Sequence, residues 1–122
     1  MAADQPTVVA LSDLVISDTA ARFEGRDHGS QASFFVTDHP PGRRVPLHVH
    51  PYEEVFIVRE GVGTFTVGEA EVEAGAGKVV IVPPETPHGF ANEGEGPLRI
   101  VSIHPNDHVV QTWLEDEPDP NA

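Results

Sequence analysis

The chain of 122 residues contains no cysteine, one tryptophan, one tyrosine and, in Lys78, one lysine. Without cysteine there is no disulfide framework, no thiolate nucleophile and no thiolate metal ligand. Lys78 lies beside a glycine turn at the start of an apolar run, which gives a Schiff-base role no support. No apolar run approaches the ~20 residues needed to span a bilayer. The start, Met1-Ala-Ala-Asp-Gln-Pro6, lacks the basic residues and apolar stretch of a secretory signal, so a soluble cytoplasmic protein is expected. Positive charge is scarce too: 7 basic residues face 20 acidic ones, for a formal charge of −13. Such a field repels nucleic acids and anionic membranes, and neither is expected as a partner. Gly75-Ala-Gly77-Lys78 is no phosphate loop, because Val79 stands where Ser or Thr is required. There is also no Gly-x-Ser-x-Gly elbow for a serine hydrolase.

What the chain does have is turn chemistry, with 12 prolines and 11 glycines. Between the turns, short β-rich runs recur at 7–11, 32–37, 54–59, 63–67, 69–73, 78–82, 88–92 and 98–104. Regular short strands with Gly/Pro punctuation predict an all-β antiparallel sandwich or barrel. Residues 1–30 read as an N-terminal segment whose apolar run 8–16 supplies an edge strand, either to its own barrel or as a dimer arm. Uncovered apolar edges favour pairing, so a homodimer is expected. Residues 31–107 form the barrel. In 108–122, Val109, Val110, Trp113 and Leu114 have the spacing of a short amphipathic helix over 107–115, with Trp113 packed on a barrel end. An acidic, Pro-containing tail carrying Glu115, Asp116, Glu117 and Asp119 follows.

Two cassettes carry the chemistry: Gly42-Arg-Arg-Val-Pro-Leu-His48-Val-His50-Pro-Tyr-Glu-Glu54 and Gly77-Lys-Val-Val-Ile-Val-Pro83-Pro-Glu-Thr-Pro-His88-Gly-Phe-Ala-Asn92. His48 and His50 are two apart, so on an extended strand both imidazoles face one side. Glu54 would be ~13 Å away along the same strand, so the chain must turn at Pro51-Tyr52 and Glu54 must open a neighbouring antiparallel strand. Glu53 is the rival carboxylate. It alternates with Val55, Ile57 and Arg59, whereas Glu54 shares a face with Phe56 and Val58, and the charged Arg59 assigns Glu53 outward. His88 heads a strand whose His88, Phe90 and Asn92 share a face. Three imidazoles and a carboxylate suit one divalent Fe, Mn, Co, Ni, Cu or Zn ion, and at six-coordination two positions stay open for a small-molecule substrate or dioxygen. Phe56, Val58 and Phe90 are the expected apolar walls of a substrate pocket. His104 and Tyr52 are candidates to assist from beside the ligands. His28, His39 and His108, in loop-like contexts, are assigned to the surface.

Together the cassettes resemble the two signature motifs of the cupin superfamily. The first is Gly42, five residues, His48-x-His50, three residues, Glu54, six residues, Gly61. The second is Gly77, five residues, Pro83, then His88 and, after three more residues, Asn92. The resemblance covers residues 42–92 and implies a double-stranded β-helix (jelly-roll) barrel, often dimeric, with His48, His50, Glu54 and His88 as metal ligands. One departure is Glu85, which stands where glycine is usual, at a turn favouring positive φ. The superfamily hosts dioxygenases, decarboxylases, isomerases, cyclases and non-catalytic binding domains, so fold does not name the substrate. The open 3-His/1-Glu set leads to an expected metal-dependent, dioxygenase-like enzyme acting on a small organic molecule. Its alternatives are a non-redox isomerase, lyase or cyclase and a non-catalytic small-ligand or metal-binding module.

Overall fold

The computed structural model describes residues 5–116. Its strands are β1 (Val15–Ser17), β2 (Ala20–Phe23), β3 (Ser33–His39), β4 (Arg44–Val49), β5 (Glu54–Glu60), β6 (Val62–Val67), β7 (Ala70–Gly75), β8 (Val79–Val82), β9 (His88–Ala91), β10 (Leu98–His104) and β11 (Thr112–Trp113). Single 3-10 turns occupy Leu11–Leu14 and Gly25–Asp27. The strands form two antiparallel sheets, ordered β1-β2-β3-β10-β5-β8 and β11-β4-β9-β6-β7. This is an all-β jelly-roll barrel. Among the described residues no helix is long and apolar enough to cross a membrane.

Period-two alternation sets what faces inward. On β10, Leu98, Ile100, Ser102 and His104 are buried, while Arg99 is exposed and Val101 and Ile103 are half-buried on the outer face. On β5 the buried set is Glu54, Phe56 and Val58. Both strands therefore span an apolar half and a polar half of the interior, β10 entering the polar half at its end and β5 leaving it at its start. The apolar half is one cluster of Phe56, Val58, Phe65, Ala74, Val82, Leu98 and Ile100, with Val67, Val80 and Phe90 packed on it. Phe56, Phe65 and Phe90 meet at centroid distances of 5.2–5.6 Å. Burying each such ring stabilises the fold by roughly 1.5–3 kcal/mol. The β5–β6 turn hinges on Gly61 at φ 82°, where a Cβ would lie 2.2 Å from the Pro97 carbonyl oxygen, so only glycine fits there.

Four expectations are corrected. Residues 107–115 form no helix. Their backbone donors are taken by tertiary partners instead: Val109 N–H by the Glu24 carboxylate, Val110 N–H by the Tyr52 hydroxyl, and Leu114 and Glu115 N–H by the Leu47 carbonyl. An i→i−4 ladder cannot form, and Thr112–Trp113 joins β4 as β11. The part of the acidic tail from Glu117 through Asp119 to the C-terminus lies outside the described residues. Second, 7–11 is not a strand; the N-terminal segment contributes the hairpin β1–β2, which extends the barrel's own sheet beside β3. Third, β5 does not lie beside β4. The turn at Pro51–Glu53 carries the chain to the opposite sheet, so Glu54 faces the histidines across the barrel. Fourth, His39 is buried at 6% exposure at the end of β3, not on the surface. His28 and His108 are half-buried, His28 stacked on Phe23 and His108 hydrogen-bonded to Asp107.

Candidate metal centre

At the polar half of the interior, His48, His50, Glu54 and His88 converge, with one ligand-type atom from each lying within 4.8 Å of the others. All four are at most 5% exposed, whereas Glu53 is exposed. His48 and His88 are register partners on β4 and β9, their rings 4.3 Å apart. His50 lies one residue past β4, and Glu54 is the first residue of β5. Gly89 lets β9 approach β4: a Cβ there would sit 2.5 Å from the Val45 carbonyl oxygen.

Each of the three imidazoles is oriented by a backbone carbonyl. Nδ1 of His48 meets Pro46 O at 2.8 Å, Nδ1 of His50 meets Val110 O at 2.9 Å, and Nδ1 of His88 meets Thr86 O at 2.8 Å. A carbonyl only accepts, so in all three rings Nδ1 carries the proton and Nε2 offers its lone pair. Two of those Nε2 atoms face the same carboxylate oxygen, Glu54 Oε1, at 2.9 Å (His50) and 2.8 Å (His88). Lone pairs so close demand a cation among them, either an added proton or a metal ion. Neighbouring donors around an octahedral ion with ~2.1 Å bonds lie about 3.0 Å apart, close to these separations. The donor set therefore fits a single divalent metal ion, with carbonyls fixing the tautomers of the ligating rings as at known sites.

The electrostatics agree. Burial would push the Glu54 carboxyl up, but its contacts with His104, which donates to it, and with His50 and His88 hold it well below the usual carboxylate range. Burial lowers His48 to about 4, further depressed by His88 and His50 against the pull of the Pro46 carbonyl and Glu54. Near neutrality the site thus presents an ionised carboxylate and a neutral His48, as a metal requires.

The other predicted residues are placed as follows. His104 ends the inward row of β10 at 1% exposure; its Nε2 is 3.0 Å from Glu54 Oε2 and its Nδ1 is 2.7 Å from the Tyr52 hydroxyl. Phe56 and Phe90 lie beneath the site, with Phe56 6.1 Å from the His88 ring. Val58, at 0% exposure, is deeper in the packed core. Sequence reasoning missed the Val110 carbonyl that orients His50, and Trp113, whose ring is 4.9 Å from His48. Backbone groups carry no residue-type signal, which is why Val110 was invisible. A separate groove lined by Leu11, Val15, Ile16, Val36 and Val101 lies on the outer face of the six-stranded sheet, away from these donors.

A metal-binding β-barrel is thus the class that fold and site define. The Cupin domain family matches residues 35–104, and the chain belongs to that family. A protein of Methanocaldococcus jannaschii is 36% identical over 79 residues, covering 62% of this chain and 63% of its own. Auxin-binding protein 4 of Zea mays is 32% identical over 78 residues, 56% of this chain and 38% of that protein. In structure, oxalate decarboxylase of Bacillus subtilis, a protein with Mn(II) centres, superposes with a TM-score of 0.76 at 22% identity, over 85% of this chain and 31% of that one. The chain thus spans less than two thirds of each of these relatives.

Proposed function

We propose that this cupin is a metal-dependent enzyme acting on a small organic molecule, with His48, His50, Glu54 and His88 holding one Fe(II) or Mn(II) ion and dioxygenase-like chemistry. The observation that carries the reading is the gathering of three carbonyl-locked Nε2 lone pairs and one ionised carboxylate within 4.8 Å, two of those nitrogens directly against Glu54 Oε1. When bound, such an ion supplies Lewis-acid polarisation of a substrate oxygen and, if redox-active, dioxygen activation. The chain's own contribution is to hold the donors neutral or singly negative, so that a divalent ion leaves a net positive centre attractive to an oxygen-bearing or anionic group. Phe56 and Phe90 keep the floor of the site dry, which strengthens that attraction. The likeness to a decarboxylase supports a lyase variant of the same reading, beside which a non-redox isomerase or cyclase stands as the alternative. The auxin-binding relative supports a second reading, a non-catalytic module that binds a small ligand. We also propose that the protein works as a homodimer, through the outer face of its six-stranded sheet.

Elemental analysis of protein prepared without a histidine tag should find about one divalent ion per chain. Glu54→Ala should weaken metal binding on the order of 100-fold or more, with little change in Glu53→Ala; the reverse order would overturn the ligand assignment. Turnover of candidate phenols or keto acids that persists under anaerobic conditions would exclude the dioxygenase version. Saturable ligand binding without any product would favour the binding module.

A further inference from the structure

His104 is the fourth imidazole around Glu54, and its hydrogen bonds are reversed relative to the other three. Val110 N–H donates to the Tyr52 hydroxyl oxygen at 3.1 Å. The hydroxyl hydrogen then has His104 Nδ1, 2.7 Å away, as its acceptor. A ring nitrogen that accepts leaves the proton on the other nitrogen, so His104 is the Nε2–H tautomer and donates to Glu54 Oε2 at 3.0 Å. The opposite direction would give the hydroxyl two incoming donors and no acceptor, and set a His104 lone pair against a carboxylate oxygen. We infer that Tyr52 and His104 are positioning residues: a directional hydrogen-bond relay from the Val110 amide that occupies Glu54 Oε2, excludes His104 from the ligand set and presents Glu54 to the metal through Oε1 alone.

The sequence builds this relay from distant parts. Tyr52 comes from the turn between the sheets, His104 from the end of β10, and Val110 from the segment after it. His104 is held edge-on to His50 at 4.8 Å and against Phe35 at 5.3 Å, which fixes its ring plane. One residue, Val110, thereby sets both kinds of tautomer: its carbonyl locks His50 as Nδ1–H, and its N–H, through Tyr52, locks His104 as Nε2–H. Occupying Oε2 keeps the carboxylate from swinging to a bidentate pose, and so preserves a coordination position for substrate.

The inference rests on the proposed metal site, and its test separates the two. Long-range proton–nitrogen correlation spectra of the 15N-labelled full chain, metal-free and loaded with Zn(II), report the tautomer of each imidazole. His104 should be protonated on Nε2 in both states, while His48, His50 and His88 carry Nδ1–H and shift at Nε2 with zinc. Protonation of His104 on Nδ1, or a zinc-induced shift at its Nε2 like that of the ligands, would overturn the relay. Failure to take up stoichiometric zinc would instead sink the metal reading, and the His104 tautomer in metal-free protein would still decide the relay. In Mn(II) titrations, His104→Leu should lose ~10–100-fold in affinity, His104→Gln should recover most of it through its amide N–H, and Tyr52→Phe should fall between wild type and His104→Leu. Equal losses in the Gln and Leu variants, with both still folded, would show that donation to Oε2 is not what His104 supplies.

Discussion

His39 ends β3 with its ring edge-on to Phe90 at 5.0 Å and its Nε2 2.9 Å from the Thr37 hydroxyl, while among the described residues Nδ1 has no hydrogen-bond partner. Burial, with the Arg43 charge adding and Asp38 opposing, lowers it to about 4. That lies below the ~6.5 of an unfolded chain, so on acidification the unfolded state takes up the proton first. The stabilising contribution is complete above pH 6.5 and is lost as the pH falls toward 4. Urea unfolding of metal-free protein at pH 7 and pH 5 should show that His39→Leu removes about 2 kcal/mol of that pH dependence. His48, lowered alongside it, retains part of the slope. The burial of His39 could not be read from Asp38-His39-Pro40-Pro41, which looks like a loop because its prolines do begin one. Glu85 was legible: it takes φ 58°, alone among the described non-glycine residues, where a glycine was expected. The choice of Glu54 over Glu53 was legible for a similar reason, since alternation on one strand is a local property. The ligand role of His48, His50 and His88 was legible too, whereas the carbonyl that orients each ring was not, because it lies 2 to 60 positions away and carries no residue-type signal.

At the scale of the element, the strands with strong alternation or turn signals at both ends, β5, β6, β8, β9 and β10, stood out in the sequence. The failures share one cause. The 107–116 segment is shaped by contacts with other strands, and its i, i+1, i+4, i+5 apolar spacing gave a helix because propensity has no knowledge of those contacts. The segment instead runs along β4 as a strap. Glu115 accepts from Leu47 N–H at 2.7 Å and from Arg44 at 2.9 Å, and Trp113 lies over His48. A two-residue strand is too short to be stable by itself; the Glu115 carboxylate, the Leu114 and Glu115 amides and the Trp113 indole together hold the strap against this edge of the metal site. Trp113→Ala should therefore leave the barrel's circular-dichroism spectrum and its thermal unfolding cooperativity intact. Metal should pass to a competing chelator several-fold faster than from wild type. An unchanged rate would mean that metal leaves by another route.

Over the whole molecule, the outer face of the six-stranded sheet is at odds with the composition. On a chain of formal charge −13, this face carries two unbroken aliphatic and aromatic rows. Val79, Ile57, Val101, Val36, Ala21 and Val15 are successive register partners across all six strands, and Ile81, Val55, Ile103, Phe34 and Phe23 run beside them. Val79 and Ile81 are 56% and 62% exposed at one edge, and Val15 is 60% exposed at the other. Strands ~4.8 Å apart make these rows a patch of roughly 350 Å² in projection, within the range of the largest apolar patch on a monomer, which is often a functional surface. On its border Arg99 pairs with both Asp38 at 3.1 Å and Glu60 at 2.7 Å, so both of these carboxylates have a partner. Two copies can thus meet here without setting Asp38 and Glu60 unpaired against each other. A two-fold pairing would set the exposed β8 edge of one protomer against the Leu11, Val15 and Ile16 groove of the other, burying the edge hazard on both. A stable dimer buries about 800 Å² per partner, so the groove and the arginine border must take part as well as the rows. Sedimentation equilibrium at micromolar concentration should give twice the 13.1 kDa chain mass. Val79→Glu combined with Ile81→Glu, at positions already open to water, should give folded monomers that keep their metal. A monomeric wild type, or a double variant that still dimerises, would move the interface elsewhere or abolish it.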